Sequence, residues 1–337
     1  MKAALLRRPK PIEENPLSIE EVPIPTIGSQ QVLVKVAACG VCRSNLHMIE
    51  GDWAEMGLPA KSPIVPGHEI VGSVARLGDD VGAFKEGDRV GIQPLWSTCG
   101  ACEFCLTGRE QICRSRQITG ETVDGGYAEY VVADANHLYP VPDNLKDSEA
   151  APLFCPGITA YGALKKAELR VGKRVAIFGI GGVGHMVIQI ARLYGADVIA
   201  VARSKQHLAL ASQLGASEVV DISKGDQEEW LRRIGPVDSS VVFAPSTELA
   251  KLAIKATKPG GTTVIGVSVE LGQLPFVDEK RVVGSVIGSR QDMKEVLGLA
   301  RAGKIKPIYE EFKLEAANKV LNMLKTGQIR ARAVLVP

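Results

Sequence analysis

The chain has 337 residues, 45% of them hydrophobic and 23% charged, with a formal net charge of +2. That length and composition suit two folded domains and argue against disorder, and a near-neutral charge with no long basic run removes the electrostatic case for nucleic acid or an anionic membrane as partner. The N-terminal MKAALLRRPKP lacks the long apolar stretch of a signal peptide, and no run approaches the roughly 18 apolar residues of a membrane span, so a cytoplasmic protein acting on small molecules is expected. Seven cysteines, an odd number in a reducing compartment, point to metal binding or nucleophilic chemistry before disulfides.

In chain order, the first informative element is the alternating VLVKV, residues 32–36, a predicted strand that runs into CGVCRSNLH with Cys39 and Cys42. PGHEIVG then sets His68 just before another apolar, strand-like run. Side chains at the ends of two such strands can project into one cleft, and His68 is the histidine best placed to share a metal with the cysteines outside the central cluster, Cys39, Cys42 and Cys155. One Cys from each of two distant segments plus one His makes a Cys2His set, known from catalytic zinc sites, which leaves a fourth position for water or substrate.

The next element is STCGACEFCLTGREQIC, residues 97–113, where Cys99, Cys102, Cys105 and Cys113 are separated by two, two and seven residues. Short C-x-x-C steps let neighbouring thiolates converge on one ion, and a fourth from a nearby turn completes a tetrahedron. The alternative is four unrelated buried thiols, since a free Cys is often a small hydrophobe. A four-thiolate site has no open position, so this lobe, about residues 94–115, is read as a zinc staple with the chemistry elsewhere.

The second half changes character. KRVAIFG reads as a compact strand, followed at once by Gly179, Gly181, Gly182, Val183 and Gly184 in GIGGVG and then by apolar residues at helical spacing. Strand, glycine turn and helix in that order make a dinucleotide signature: the glycines admit the pyrophosphate to the backbone, and the helix N-terminus carries unpaired N–H groups and a positive dipole end. ADVIAVA, SEVVDI, SSVVFA, TTVIGVS and RVVGSVIG supply further strands, so six candidates from Val175 to Ile287, with a helix around Leu208 to Leu214, fit one doubly wound parallel α/β sheet. The second of these strands runs into Ala202, Arg203, Ser204 and Lys205, where enzymes using NAD usually place a carboxylate for the ribose 2′-hydroxyl. A guanidinium and a hydroxyl there suit a 2′-phosphate instead, so NADP(H) is favoured and NAD(H) is the alternative.

Together the motifs CGVCRSNLH, PGHEIVG, GDRVG, the four-cysteine loop, GGYAEYVV, LFCPGITAYGAL and GIGGVGHMVIQIARLYGADV resemble, in order and over essentially the whole chain, the zinc-containing medium-chain alcohol dehydrogenases. The resemblance implies a mainly-β GroES-like catalytic domain from residues 1–153 and 289–337, with a Rossmann domain, 154–288, inserted between. It implies two zinc ions per chain: a catalytic one on Cys42, His68 and Cys155, in a cleft facing the glycine turn, and a structural one on the four-cysteine lobe. Glu69 is implied to be a carboxylate behind the ligands that approaches the metal transiently, the alternative being a buried ion-pair partner. Ser44 and His47 match the family's proton relay, Arg43 and Arg332 its cations for the cofactor pyrophosphate, and Trp53, with Trp96 as a weaker candidate, the aromatic wall of the substrate pocket. The implied reaction is reversible hydride transfer between an alcohol and its aldehyde or ketone and the nicotinamide, in a homo-oligomer, with a tetramer favoured by chain length.

One departure stands out. The family usually has Asp where this chain has Asn45, and that carboxylate orients the zinc-bound imidazole. Asn can accept a hydrogen bond but brings no charge, so the expectation is a less basic ligand and an altered pH dependence. Rival readings are an NADPH-dependent C=C reductase of the same fold, a redox pair from Cys39 and Cys42, and a zinc-stapled dinucleotide-binding sensor that turns over no alcohol; the first conflicts with the three catalytic ligands. A zinc ribbon for nucleic acid fails on charge. The particular alcohol and the physiological direction stay open.

Overall fold

The computed structural model describes residues 1–274 and 276–337. The chain divides into two units, one of Met1–Cys155, Ser289–Arg301 and Pro307–Pro337, the other of Pro156–Gly288 and Ala302–Lys306. The first unit is mainly β, and the second is a parallel sheet with helices. Among the described residues no helix is long and apolar enough to cross a membrane.

The first unit is built on a seven-stranded sheet in which Arg332–Val336, Ile70–Leu77 and Tyr130–Asp134 all pair with Gln31–Gly40. Along Gln31–Gly40, Val32, Val34 and Val36 enter a core shared with Ile70, Val74, Val90, Val131 and Leu335 on one face, while Leu33 is buried on the other and Lys35 is exposed. Two glycines let elements approach where a side chain could not. A Cβ at Gly72 would stand 2.2 Å from the Lys35 carbonyl oxygen, and one at Gly91 would stand 1.9 Å from the Phe154 ring. Phe154 thus fills the space above Gly91 and seats the residue that follows it, Cys155. The four-cysteine lobe leaves this unit on a two-stranded ribbon of Leu95–Ser97 and Gln117–Ile118.

The second unit contains six parallel strands ordered Glu218–Asp221, Asp197–Ala202, Arg174–Phe178, Val237–Val242, Thr257–Ile265 and Arg281–Gly284. In chain order this is 3-2-1-4-5-6, the doubly wound arrangement with its switch point beside the first strand. Ala176, Phe178, Ile199, Val201, Val220, Val242 and Ile265 form the core with Leu252 and Ala253 of helix Thr247–Ala256. The helix expected around Leu208 runs Lys205–Gln213. Strand bounds shift by a few residues: the segment SSVVFA begins its pairing at Val237, and RVVGSVIG leaves the sheet after Gly284. The two ends of this unit lie side by side, since a Cβ at Gly162 would come within 2.3 Å of the Ile287 carbonyl oxygen.

At the N-terminal edge of the parallel strands, Asp238 accepts from Lys173 Nζ at 2.9 Å, Lys258 Nζ at 2.5 Å and the Arg174 backbone N–H at 2.9 Å. Burial alone would raise its pKa, but the lysines and the backbone donor outweigh it and hold the carboxyl below its usual value. A depressed carboxyl stabilises the fold above its unfolded pKa, about 3.9, and that contribution is lost as pH falls through the folded value. Asp238→Asn is therefore expected to lower the urea midpoint at pH 7, with a smaller difference from the parent well below pH ~4. A difference that does not shrink in acid would contradict this.

Candidate functional site

The four-cysteine lobe closes as its spacing predicts. Cys99 Sγ lies 3.8 Å from Cys105 Sγ and 3.5 Å from Cys113 Sγ, and Cys102 Sγ lies 3.6 Å from Cys105 Sγ. Tetrahedral zinc with Zn–S bonds of ~2.3 Å places its sulfurs about 3.8 Å apart, so these three separations are close to the edges of such a tetrahedron. Gly100 and Gly108, both at positive φ, make the turns that bring them together. Glu110, buried between Cys105 and Cys113, accepts from the backbone N–H of Arg290 at 2.9 Å and from its Nε at 3.2 Å, tying the lobe to the start of helix Arg290–Arg301.

The second cluster joins Cys42, His68, Glu69 and Cys155, whose ligand atoms all lie within 4.8 Å of one another and whose residues are all buried. Cys42 stands at the N-cap of helix Arg43–Glu50, just past the end of strand Gln31–Gly40. His68 follows Gly67, at φ 101°, on the approach to strand Ile70–Leu77. Cys155 ends the 3-10 turn Ala151–Phe154. Cys42 Sγ and Cys155 Sγ are 3.7 Å apart, again the spacing of two thiolates on one tetrahedral zinc. Two soft thiolates and an imidazole fit zinc.

The electrostatics of the cluster follow from its burial and its neighbours. The hydrogen bond from Cys155, together with Arg332 and His68, lowers the pKa of Cys42, while Cys155, the donor of that bond, is raised. Burial disfavours His68 imidazolium, but the Cys42 thiolate and the nearby carboxylates of Glu121 and Glu69 reverse this and raise its pKa. A metal bound here takes its ligands as thiolates and a neutral imidazole. Cys39 is fully buried, donates to the Gly40 carbonyl at 3.7 Å, and burial pushes its pKa well up; such a thiol is unsuited to redox exchange with Cys42.

Glu69 is fully buried and accepts from Arg332 Nε at 3.0 Å and from Arg332 Nη2. Gly40 makes room for it, because a Cβ there would fall 2.0 Å from Glu69 Oε2. This pairing leaves Nη1 unengaged by Glu69 and so stands beside the pyrophosphate role expected of Arg332. A buried carboxylate demands a counter-charge, and Arg332, itself 3% exposed, meets it with the Nε–Nη2 edge of its guanidinium. Glu69 is thus a buried ion-pair partner, the alternative weighed for it, and its carboxylate lies in the cluster with the three expected ligands. Arg43 contrasts with Arg332: its Nε is buried and finds no hydrogen-bond partner among the described residues, so an anion would satisfy it.

Ser44 Oγ lies 3.4 Å from His68 Nε2, and His47 Nδ1 lies 2.6 Å from Asp52 Oδ2. Trp53 is half-buried, packs on the core of the first unit and stacks on His47 with ring centroids 5.8 Å apart. Trp96 gives its indole N–H to the Val132 carbonyl at 2.9 Å. Asn45, singled out in the sequence, has its Nδ2 3.4 Å from His68 Nδ1. The structure also brings up two residues that motif reading missed: Glu121 Oε1 lies 3.7 Å from His68 Nδ1, and Tyr127 donates to Asn45 Oδ1 at 3.5 Å. Burial pushes Glu121 up to about 7. Its one signal in the sequence was an acidic residue in the otherwise neutral ITGETV.

In the second unit the three glycines divide the work as a dinucleotide turn requires. Gly179 has φ 97° and would place a Cβ 2.7 Å from the Ala244 nitrogen; a Cβ at Gly184 would fall 1.9 Å from the Gly179 carbonyl oxygen; one at Gly181 would meet nothing within 4 Å. The first makes the turn, the last packs helix Gly184–Leu193 on it, and the middle one leaves open backbone. Gly182 and Val183 complete the loop into that helix. At the end of Asp197–Ala202, Ala202 is buried, Arg203 and Lys205 are exposed, and Ser204 stands at the N-cap of Lys205–Gln213 without making a side-chain cap bond. No carboxylate stands among Ala202–Lys205.

Comparison with known proteins agrees with this layout. Residues 28–143 match the model for the alcohol dehydrogenase GroES-like domain and residues 182–302 that for zinc-binding dehydrogenase. An alcohol dehydrogenase of Geobacillus stearothermophilus is 42% identical over 341 residues, covering 99% of each chain. The crystal structure of the alcohol dehydrogenase from Aeropyrum pernix superposes with a TM-score of 0.91 at 33% identity over 100% of both chains. A cobalt- and zinc-bound thermostable alcohol dehydrogenase from Pyrobaculum aerophilum superposes with a TM-score of 0.90 at 27% identity over 100% of this chain and 99% of that one. The chain belongs to the zinc-type medium-chain alcohol dehydrogenase family.

Proposed function

We propose that this alcohol dehydrogenase holds its catalytic zinc on Cys42, His68 and Cys155 and a structural zinc on Cys99, Cys102, Cys105 and Cys113, and that it uses NADP(H) in preference to NAD(H). The observation that carries the reading is the convergence of two buried thiols and an imidazole from three separate segments. Bound zinc supplies the charge that lowers the pKa of an alcohol hydroxyl, and the nicotinamide supplies the acceptor for the carbinol hydride. Ser44 Oγ, beside His68 Nε2, is placed to accept the hydroxyl proton while handing its own proton on toward solvent. His47, fixed at Nδ1 by Asp52, keeps Nε2 to pass a proton to water. Glu69 and Arg332 hold the rear of the centre as a neutral pair. The open backbone at Gly181 is suited to the pyrophosphate. Arg43, whose Nε has no hydrogen-bond partner among the described residues, is suited to an anionic group of the cofactor. A cytoplasmic homotetramer completes the reading, supported by the resemblance.

The cofactor preference rests on Arg203 and Ser204, whose side chains make no hydrogen bond or ion pair among the described residues. The test follows nicotinamide absorbance with NADP⁺ and NAD⁺ offered separately against primary, secondary and aromatic alcohols. Chelator-sensitive turnover is expected, with the larger kcat/KM for NADP⁺. Arg203→Asp is expected to move the ratio of the two kcat/KM values toward NAD⁺ by one to two orders of magnitude, roughly the worth of a charge-assisted hydrogen bond. An unchanged ratio would remove Arg203 from the cofactor site.

A further inference from the structure

We propose that Glu121 is the positioning carboxylate of the catalytic zinc centre, orienting His68 from a segment remote from Asn45. The inference rests on the zinc reading above. A histidine that binds metal through Nε2 must carry its proton on Nδ1, and an acceptor at Nδ1 fixes the ring plane and raises its basicity. Here Ser44 marks the Nε2 edge and two side chains face the Nδ1 edge. Asn45, with its Oδ1 engaged by Tyr127, presents its amide nitrogen, a donor, to Nδ1 at 3.4 Å. Glu121 presents an oxygen, Oε1, at 3.7 Å, and a small rotation of its side chain closes the hydrogen bond.

The loop that carries Glu121 is pressed on the one that carries His68. A Cβ at Gly120, φ 73°, would fall 2.6 Å from the Gly67 nitrogen, and one at Gly125 would fall 2.0 Å from the Gly67 carbonyl oxygen. Gly126 N–H donates to the Gly67 carbonyl at 2.9 Å, and Glu121 accepts at its own carbonyl from Ala60 N–H at 3.0 Å. The glycine that precedes each residue therefore abuts the other loop, which fixes the distance between the two side chains. Glu121 is 7% exposed, and its carboxylate accepts no hydrogen bond from any described residue. Arg116, the nearby cation, gives its guanidinium to the Cys113 carbonyl at 2.9 Å. A buried carboxylate without a donor is costly, and His68 Nδ1–H is the donor within reach.

The test is equilibrium competition for zinc with a chromophoric chelator, together with the absorption spectrum of the cobalt-substituted protein. The parent is expected to hold two zinc ions of separable affinity. Glu121→Gln should weaken one of them by roughly 10- to 100-fold, leave the other unchanged and shift the cobalt ligand-field bands. Adding Asn45→Asp to Glu121→Gln should restore the affinity, because it returns a carboxylate to the same nitrogen, a rescue that a packing role for Glu121 would not show. If Glu121→Gln alone does not fold, the comparison is made within Asn45→Asp, where the second substitution is expected to leave zinc affinity unchanged. A parent with one zinc overturns the zinc reading and the inference together. A parent with two, and either Glu121→Gln binding both as tightly or no rescue by Asn45→Asp, overturns the role of Glu121 alone.

Discussion

Cys155→Ser is expected to lower kcat/KM for alcohol oxidation by roughly three orders of magnitude or more while leaving thermal unfolding close to that of the parent. Serine approximates cysteine in size but replaces a soft thiolate ligand by a hydroxyl, so the centre loses its ion and several kcal/mol of Lewis-acid stabilisation with it. Packing there is carried by Phe154, whose ring stands against Gly91, and is untouched. Cys102→Ser should act in the opposite sense. It opens the four-cysteine lobe, frees the segment that holds Glu110 against Arg290, and lowers the apparent melting temperature by an amount on the order of 5–10 °C, with turnover kept below the transition. Zinc content, thermal denaturation and steady-state kinetics on both variants check the division. A Cys102→Ser protein that melts like the parent but has no activity would reverse the roles of the two clusters.

A comparable separation is expected in the second unit. Gly181→Val adds a side chain where the protein itself has nothing within 4 Å, so folding should be unaffected, yet the added methyls occupy the backbone face that a pyrophosphate must approach. Nicotinamide dinucleotide affinity should fall by two orders of magnitude or more, on the scale of about 3 kcal/mol, read by fluorescence titration or calorimetry. Gly184→Ala should do the reverse, because its Cβ meets the Gly179 carbonyl oxygen at 1.9 Å and helix Gly184–Leu193 must back away from the turn. That variant is expected to lose stability first and affinity only as a consequence. Equal dinucleotide affinity in Gly181→Val and the parent would contradict the placement of the pyrophosphate.

Local patterns carried a large share of this result. The alternation in residues 32–36, the strand–glycine–helix order at 174–193 and the short C-x-x-C steps are each set by near neighbours, and each forms where the sequence points. The convergence of Cys42 with Cys155, 113 residues apart, was legible through resemblance and not through spacing, because it depends on how strands stack. The pairing of Arg332 with Glu69, 263 residues away, was not legible at all: the motif position of Arg332 suggests a phosphate, and nothing local tells of the buried carboxylate that also needs its charge. Glu121 was illegible for a related reason: its closeness to His68 comes from two glycines packed against each other's loops, and neither loop alone carries a sign of it. Strand ends moved by a few residues where pairing with a neighbour outweighed the apolar run, as at Val237.

The adjacency of Gly162 and Ile287 bears on how the chain folds. Gly40 pairs with Val334 across almost the whole sequence, and closing so long a loop before any contact rewards it carries a large entropic cost. Once residues 156–288 have folded, the two ends of that segment are held against each other. The flanking stretches then behave as though joined by a short linker, and the long-range pairing becomes nearly local. Mutations that weaken the parallel sheet should therefore slow refolding of the antiparallel one, even at positions that touch none of its residues.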